Sequence, residues 1–195
     1  GIETYEPIVK DSKLLKEKSF EEIVEDRISR YIGKTDQELC KKFSREYNNN
    51  KLQWVDLSYK MLGIKSNRAE EFVKANIVVK VIRIEENGAM KESMSFPPFK
   101  YKELIKEKWE DSTLHNYFEE TKFLFVVFKR SGMHYTLKGC QFWNMPWVDL
   151  ENTVRLEWEN VVQVIKQGVV FEIVPKANGG VIVKNNLPKK GDNLI

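Results

Sequence analysis

The fold class of this chain is decided by the stretch Ile77-Val78-Val79-Lys80-Val81-Ile82-Arg83-Ile84. It is dense in β-branched residues, which favour strands, and it runs into Glu85-Glu86-Asn87-Gly88, a strong turn signal. We therefore predict a strand followed by a hairpin whose return strand covers residues 91–96. Residues 123–128 form an unbroken apolar run with the length of a strand buried on both faces, so we predict that they are the central strand.

Helical signals surround these strands. Ser19 with Glu22, and Thr35 with Glu38, have the spacing of capping boxes, in which two side chains satisfy free N–H groups at the start of a helix. Apolar residues recur at helical spacing after each box. Asp149 is predicted to cap a long helix that Gly168 ends. The predicted helices cover residues 20–31, 36–43, 54–62, 101–109 and 149–167.

The remaining strands complete an α/β fold with a mixed sheet and helices on both faces. They are predicted at 135–143, 169–174 and 181–184, with a tight turn at 178–180. We predict one domain over residues 19–195 and an arm or linker over the polar, lysine-rich residues 1–18. The chain starts at Gly1 without a methionine and stops at the apolar pair Leu194-Ile195. We therefore expect an excerpt of a longer polypeptide, truncated at its C-terminus.

Composition excludes some classes of protein and permits others. No run approaches the roughly twenty apolar residues of a membrane helix, and no signal peptide is visible, so we expect a soluble intracellular protein. Cys40 and Cys140 are the only cysteines, which excludes a disulfide framework or a zinc ribbon, and both are expected to be buried. The net charge of +3 and the pI near 8.7 permit DNA binding without demonstrating it.

Six segments together are similar to the C-terminal half of type II restriction endonucleases of the MutH and Sau-3AI family. The resemblance extends from about Lys18 to the end of the chain, and its most specific part is residues 91–96 in their context. The six segments are Ile77-Val-Val-Lys80, Lys91-Glu-Ser-Met-Ser-Phe96, Trp109-Glu-Asp-Ser112, Phe123-Leu-Phe-Val-Val-Phe-Lys129, Lys184-Asn-Asn186 and Asp192-Asn-Leu-Ile195.

This resemblance implies a restriction-endonuclease-like fold of the MutH type. Enzymes of this kind resemble two MutH-like domains in one polypeptide: the N-terminal copy cuts, and the C-terminal copy binds a second GATC site as an effector. The implied partners are double-stranded DNA containing GATC and the N-terminal catalytic domain of the same polypeptide. No cofactor is expected on this chain, and magnesium is expected in the parent's catalytic domain. The implied location is the bacterial cytoplasm.

The family's catalytic motif is an Asp followed by Glu-x-Lys on a strand. The two carboxylates hold a metal ion that polarises the phosphate and activates water, and the lysine stabilises the developing charge. The resemblance puts Glu-x-Lys on Val78-Val79-Lys80 and the leading Asp near Glu71. Valine has replaced the essential carboxylate, which implies an inactive half without a metal site. If the hairpin of this chain differs in length from that of the family, Glu85 or Glu86 is an alternative metal ligand at a shifted position.

A second set satisfies the same loose pattern further along the chain. Asp111 is followed by Glu120-Thr121-Lys122. Such a pattern arises easily in a chain with 31% charged residues, and it precedes the buried strand instead of lying on it. We therefore do not favour it as an active site.

Two groups of residues are candidates for DNA contacts. Lys80 and Arg83 are candidates for neutralising DNA phosphates. An equally favoured interpretation is that they are solvated charges, or gatekeepers, that prevent the edge of the sheet from pairing with another strand. A basic, amide-rich loop near the end suits phosphate positioning through its lysines and base-edge contacts through its asparagines, with a solvated turn as the alternative. This loop contains Lys184, Asn185, Asn186, Lys189 and Lys190. The family's principal base-reading loop would follow residues 192–195.

The aromatic residues and histidines favour structural roles. Core packing explains the tryptophans better than base stacking does, with Trp147 beside Pro146 as the exception. His115 and His134 lack partners at metal-ligand spacing and are expected in loops or at the surface. The tryptophans are Trp54, Trp109, Trp143, Trp147 and Trp158.

Three functional hypotheses stay open at this point. The first is a sequence-specific DNA-binding effector. The second is an active magnesium-dependent nuclease that uses either Glu71, Glu85 and Lys80 or the later pattern. The third is a module that docks on the cutting domain, or on itself as a dimer, through the exposed faces of its helices.

Overall fold

The computed structural model describes residues 4–91 and 97–189. The chain divides into two compact units. Unit 1 comprises Gly1–Met94 and Thr121–Asn144, and unit 2 comprises Ser95–Glu120 and Met145–Ile195. The single domain expected over 19–195 stays a prediction, and each unit is described by itself.

A three-stranded mixed sheet is the centre of unit 1. Its strands are β1 (Ile77–Ile84), β2 (Lys122–Ser131) and β3 (His134–Asn144), in the order β1-β2-β3. β1 runs parallel to β2, and β2 runs antiparallel to β3. The predicted α/β class with a mixed sheet and the central position of residues 123–128 are therefore confirmed.

One face of this sheet packs against the helices of unit 1. Side chains alternate between faces along a strand, so Val79, Leu124, Val126, Phe128 and Leu137 share the core face. Each of these side chains is at least 92% buried, since none exceeds 8% exposure. The helices of the unit are α1 (Leu14–Glu17), α2 (Phe20–Ser29), α3 (Asp36–Lys42), α4 (Leu52–Leu62) and α5 (Glu70–Lys74).

Local sequence signals explain where the helices of unit 1 begin and end. Both predicted capping boxes are present: Ser19 exchanges hydrogen bonds with Glu22 at the start of α2, and Thr35 does the same with Glu38 at the start of α3. Gly63 ends α4 in the left-handed region at φ 79°, where a side chain would strain the backbone. These predictions are confirmed.

The described part of the expected N-terminal arm contains a segment that belongs to the core of unit 1. Ile8 is only 2% exposed and joins the core cluster. Glu6 forms a parallel bridge with Ala69. Residues 10–18, in contrast, are exposed, as a lysine-rich arm would be.

The turn predicted after β1 is present, whereas most of its return strand falls outside the described residues. The Glu85 amide donates to the Ala89 carbonyl at 2.8 Å, and Gly88 adopts φ 84°. Ile84 bridges Met90 in the antiparallel sense. The prediction for residues 92–96 therefore lies outside what the structure describes.

Unit 2 begins with short helices and continues into a long one. Its first elements are α6 (Tyr101–Leu104), a 3-10 turn (Trp109–Asp111) and α7 (Thr113–Glu120). The long helix is continuous from α8 (Trp147–Asp149) through a π-helical turn (Leu150–Val154) into α9 (Arg155–Gln167). Pro146 precedes α8, so the prediction that Asp149 caps this helix is wrong; Asp149 lies inside it.

The last two strands form a sheet of their own in unit 2. β4 (Phe171–Pro175) pairs antiparallel with β5 (Val181–Asn185), and Gly179 at φ 82° completes the predicted turn. Among the described residues this pair is not hydrogen-bonded to the three-stranded sheet, which corrects the expectation of one sheet containing all strands. Within residues 4–91 and 97–189, no helix is long and apolar enough to span a bilayer.

Candidate nucleic-acid interface

The resemblance assigns the family's Glu-x-Lys to Val78, Val79 and Lys80, which lie in the first half of β1. Val78 and Lys80 share the sheet face opposite the core of unit 1, since Val79 between them points into that core. Their register partners on β2 are Phe123 and Phe125. These rings stack on each other with centroids 5.9 Å apart. The strand neighbours of the valine are therefore aromatic and offer no oxygen ligand.

Glu71, the position nearest to the family's leading Asp, has a structural task. Its carboxylate accepts hydrogen bonds from the backbone N–H groups of Ile8 and Val9, both at 2.9 Å. It therefore fixes the N-terminal segment to α5. Among residues 4–91 and 97–189, no group of three or more His, Cys, Asp or Glu side chains is arranged to hold a metal ion.

Lys80 and Arg83, the two predicted phosphate contacts on β1, lie on opposite faces of the strand. Burial lowers the pKa of the half-buried Lys80 ammonium group. Arg83 points to the core side and is 4% exposed, so the alternative of a solvated gatekeeper is wrong for this residue. The structure does not bring these two side chains together into one contact surface.

Arg83 forms the floor of a basic cleft at the end of β1 in unit 1. Three cations surround the Tyr135 ring: the Arg83 Cζ at 5.4 Å from its centroid, the Lys91 Nζ at 5.9 Å and the Arg130 Cζ at 5.9 Å. The Arg83 guanidinium also lies 3.9 Å from the centre of the Trp54 ring. The cleft has a volume of about 400 Å³. Its lining residues are Tyr47, Asn49, Trp54, Arg83, Lys91, Arg130, Met133 and Tyr135.

Glu85 and Glu86, considered above as displaced metal ligands, are engaged beside this cleft. The Glu85 carboxylate accepts from the Tyr135 hydroxyl at 2.6 Å and from Arg130 Nη1 at 3.2 Å. The hydrogen bond from Tyr135, assisted by Arg130, lowers the pKa of Glu85. Glu86 accepts from the Gly132 backbone N–H at 2.8 Å. Both carboxylates thus stabilise the two turns that flank the cleft.

The second Asp and Glu-x-Lys pattern is divided between the two units. Asp111 lies in the 3-10 turn of unit 2, and Glu120 ends α7 in the same unit. Lys122 begins β2 in unit 1 and forms an ion pair with Glu21. The engagement of Lys122 within unit 1 gives no support to this set as an active site.

The predicted basic loop begins within β5 of unit 2, because Lys184 and Asn185 are the last two residues of that strand. Lys184 is exposed and lies opposite Glu172 in the β4–β5 register. Asn185 accepts from the Leu187 N–H at 3.2 Å, and Asn186 accepts from the Val170 N–H at 2.9 Å. The amide oxygens of both asparagines therefore shape the loop. Lys189 is exposed, and Lys190 lies outside the described residues.

The two histidines differ from the expectation of surface or loop positions. His115 is 9% exposed inside α7, and its Nε2 lies 3.0 Å from the Glu151 Oε1. Its ring meets the Trp109 ring edge to face at 5.1 Å between centroids. His134 is half-buried at the start of β3, with its Nδ1 3.5 Å from the Asp36 Oδ1. The prediction is wrong for His115 because α7 places its ring between Trp109 and the Glu151 carboxylate.

The tryptophans and cysteines largely follow the expectations. Trp54, Trp109 and Trp158 are buried, while Trp147 is 69% exposed. Cys40 is buried and Cys140 is half-buried, and neither forms a disulfide. Burial raises the pKa of the Cys140 thiol to about 12, so it is a poor nucleophile.

Sequence reasoning missed most of the residues that build the basic cleft. Lys91 was noted only as part of the resemblance, and Arg130 and Tyr135 were not considered as site residues. A signal was nevertheless present: Arg130 and Tyr135 flank the Ser131–Gly132 turn and pair across β2 and β3. A cation and an aromatic residue at paired positions of a hairpin contact each other on one face.

Comparison with known proteins places the chain next to one restriction enzyme. No family model matches it. It is 37% identical over 211 aligned positions to the type II restriction enzyme Sau3AI of Staphylococcus aureus. The alignment covers 100% of this chain and 43% of that enzyme, so the chain spans less than half of its relative's length. The resemblance noted from the sequence is thereby confirmed: the chain is homologous over its whole length to part of a Sau3AI-type restriction enzyme.

Proposed function

We propose that this chain is a DNA-binding effector part of a type II restriction enzyme, which binds duplex DNA containing GATC without cutting it. The homology to part of Sau3AI supports a role connected with a restriction enzyme. The noncutting role rests on residues of this chain, and the specificity for GATC rests on the family resemblance.

The single observation that carries the noncutting role is Val78. The family resemblance assigns it to the strand position of the first Glu-x-Lys residue, and Phe123 and Phe125 line the strand beside it. A valine side chain cannot hold a divalent cation, and two-carboxylate sites of this kind need an oxygen ligand at that position. Glu71, the other candidate ligand, is bound to the backbone of Ile8 and Val9.

Metal chemistry therefore belongs elsewhere in the proposed parent enzyme. The mixed sheet of unit 1, with residues 78–80 on β1, supports a restriction-endonuclease-like fold for the proposed parent enzyme. A cutting domain N-terminal to this part would use magnesium. This part would bind a second GATC site and, as an effector, influence cutting by that domain. Such an enzyme acts on DNA in the bacterial cytoplasm.

The test is a binding titration followed by fluorescence anisotropy. The chain is titrated into a labelled duplex containing GATC and into a matched duplex in which these bases are scrambled, each at 50 and 200 mM salt. The proposal expects binding that weakens steeply with salt, because phosphate contacts release counterions, and a tighter complex with GATC. Equal affinity for both duplexes would remove the specificity, and absence of binding would refute the DNA-binding role.

The alternative hypothesis, an active nuclease, predicts a different experimental result for the same protein. It requires magnesium-dependent cleavage that is lost in Glu71→Ala or Glu120→Ala. The engagement of Glu71 with backbone amides and of Lys122 with Glu21 gives this alternative no structural support.

A further inference from the structure

The basic cleft of unit 1 presents the exposed donor groups of two cations among the described residues, Lys91 and Arg130. Arg83, Lys91 and Arg130 provide three cations around Tyr135, and Glu85 provides one carboxylate. The Lys91 side chain is 48% exposed, and that of Arg130 is 42% exposed. Their N–H groups are therefore within reach of a ligand that enters from solvent.

Two aromatic side chains that line the cleft are held in place by hydrogen bonds to one buried carboxylate. Trp54 is 2% exposed and donates its Nε1–H to the fully buried Asp36 carboxylate at 3.2 Å. The Tyr47 hydroxyl reaches the same carboxylate oxygen at 3.5 Å. Asp36 thus fixes two aromatic walls of the cleft, and Arg83 lies over one of them. Aromatic walls reduce the local dielectric constant, so the field of the cations is screened less than on an open surface.

We propose that this cleft is a subsite for one phosphate group of a DNA backbone, with Arg130 and Lys91 as the contacting residues. Arg130 Nε donates to the Gly132 carbonyl at 3.0 Å and its Nη1 donates to Glu85 at 3.2 Å, so a phosphate would bind to Nη2 and, once Glu85 is displaced, to Nη1 as well. The Lys91 ammonium adds a point charge. Arg83 is 4% exposed and is therefore not assigned as a direct contact of the phosphate. The inference rests on the proposed function and extends it, since it assigns a site that neither the catalytic-motif positions nor the predicted basic loop identified.

Glu85 makes the assignment testable by a gain of affinity. Its carboxylate accepts from Arg130 and lies 3.9 Å from the Lys91 Nζ. An entering phosphate must compete with it for these donors. Glu85→Gln removes that competition and the repulsion of the phosphate, so duplex affinity should increase several-fold. A variant that merely unfolds would not bind DNA more tightly.

The experiment compares the unmodified chain with Lys91→Gln, Arg130→Gln, Glu85→Gln and the control Lys138→Gln. Lys138 is exposed on β3, outside the residues that line the cleft, so its replacement removes the same charge from a neighbouring surface. Each protein is first checked for an unchanged circular dichroism spectrum. Duplex affinity is then measured over a series of salt concentrations. Because both cations contact the same phosphate, loss of either one should reduce the slope of log affinity against log salt by up to about 0.9, and Lys138→Gln should leave the slope unchanged.

A second experiment distinguishes phosphate binding in the cleft from DNA binding elsewhere on the chain. The Nε–H resonance of Arg130 is followed by NMR while inorganic phosphate, and separately a nucleoside monophosphate, is added to the unmodified chain. A resonance shift that Lys91→Gln weakens supports the phosphate subsite. If the duplex binds but the cleft variants behave like Lys138→Gln, the subsite is refuted and the proposed function stands. If free phosphate shifts the resonance but no duplex binds, the DNA backbone is refuted as the source of the phosphate.

Discussion

Replacement of Glu71 distinguishes a structural carboxylate from a metal ligand. In Glu71→Ala the backbone N–H groups of Ile8 and Val9 lose their acceptor. Ile8 is 2% exposed in the unmodified chain, so water does not readily replace that acceptor while the N-terminal segment remains packed. A hydrogen bond to a charged group contributes about 1.5 to 3 kcal/mol. Because Glu71 is only partly buried, we take the lower end for each bond and expect a loss of about 2 to 3 kcal/mol in total.

Urea denaturation measures this loss. With a slope of about 2 kcal/mol per M, the unfolding midpoint should fall by roughly 1 M. Glu71→Gln keeps one carbonyl acceptor and should lose about half as much. The control is Glu70→Ala, which removes only an exposed i,i+4 pair with Lys74 and should change the free energy of unfolding by less than about 0.5 kcal/mol. Limited proteolysis should also release the segment before α1 more rapidly in Glu71→Ala.

The opposite pattern would refute this reasoning. If Glu71→Ala unfolds at the same urea concentration as the unmodified chain and instead abolishes a magnesium-dependent activity on DNA, Glu71 is a metal ligand. The proposal that this chain lacks a catalytic metal site because Val78 replaces the family's glutamate would then be wrong as well.

Three further predictions concern other residues. Val78→Glu should not produce magnesium-dependent cutting of duplex DNA on a gel, because one added carboxylate faces no second ligand while Glu71 is engaged; cut product would contradict this. Glu85 has a lowered pKa when folded, so its contribution to stability is present above its ordinary value of 4.5 and is lost as the pH falls through the lower folded value. The difference in unfolding free energy between Glu85→Gln and the unmodified chain should therefore shrink in denaturant titrations as the pH falls below 4.5 and vanish below the folded pKa; a difference that stays constant with pH would exclude the ionised carboxylate as its cause. Cys140, with a pKa of about 12, should react with iodoacetamide at pH 8 at least about tenfold more slowly than a thiol at the ordinary value of 9.0, as peptide mass spectrometry would measure; rapid labelling would show that the thiol is not buried.

Much of unit 1 could be predicted from its sequence because local signals and burial agree there. The β-branched density of residues 77–84 and the apolar run of 123–128 both produce strands, and the two capping boxes start helices where expected. Each of these signals acts within a few residues. The chain therefore reveals them without knowledge of distant contacts.

The wrong predictions concern positions where a local sequence signal was overridden by other parts of the chain. Asp149 has the chemistry of an N-cap, but the helix starts earlier, after Pro146, whose fixed φ suits the position before a first turn. His115 looked like a surface residue until α7 placed it beside Trp109 and Glu151. Strands β4 and β5 carry strand-forming residues, yet sequence alone does not determine which sheet a strand joins.

The basic cleft was not predictable from spacing because its parts come from separate elements. Arg83 is on β1, Lys91 follows the next turn, and Arg130 and Tyr135 belong to the β2–β3 hairpin. Only the parallel pairing of β1 with β2 brings these positions to one end of the sheet. The candidate phosphate contact Lys80, which the motif did identify, lies on the other face of the same strand.

The central claim is that this chain binds DNA and does not cut it, and one measurement tests both parts together. A duplex containing GATC is saturated with the chain, as verified by anisotropy, and is then incubated with magnesium and analysed on a denaturing gel. The account predicts a saturated complex whose DNA stays intact under these conditions. Cleaved strands would contradict the assignment of Val78 as a lost metal-binding position, and failure to form the complex at any salt concentration would contradict the DNA-binding role.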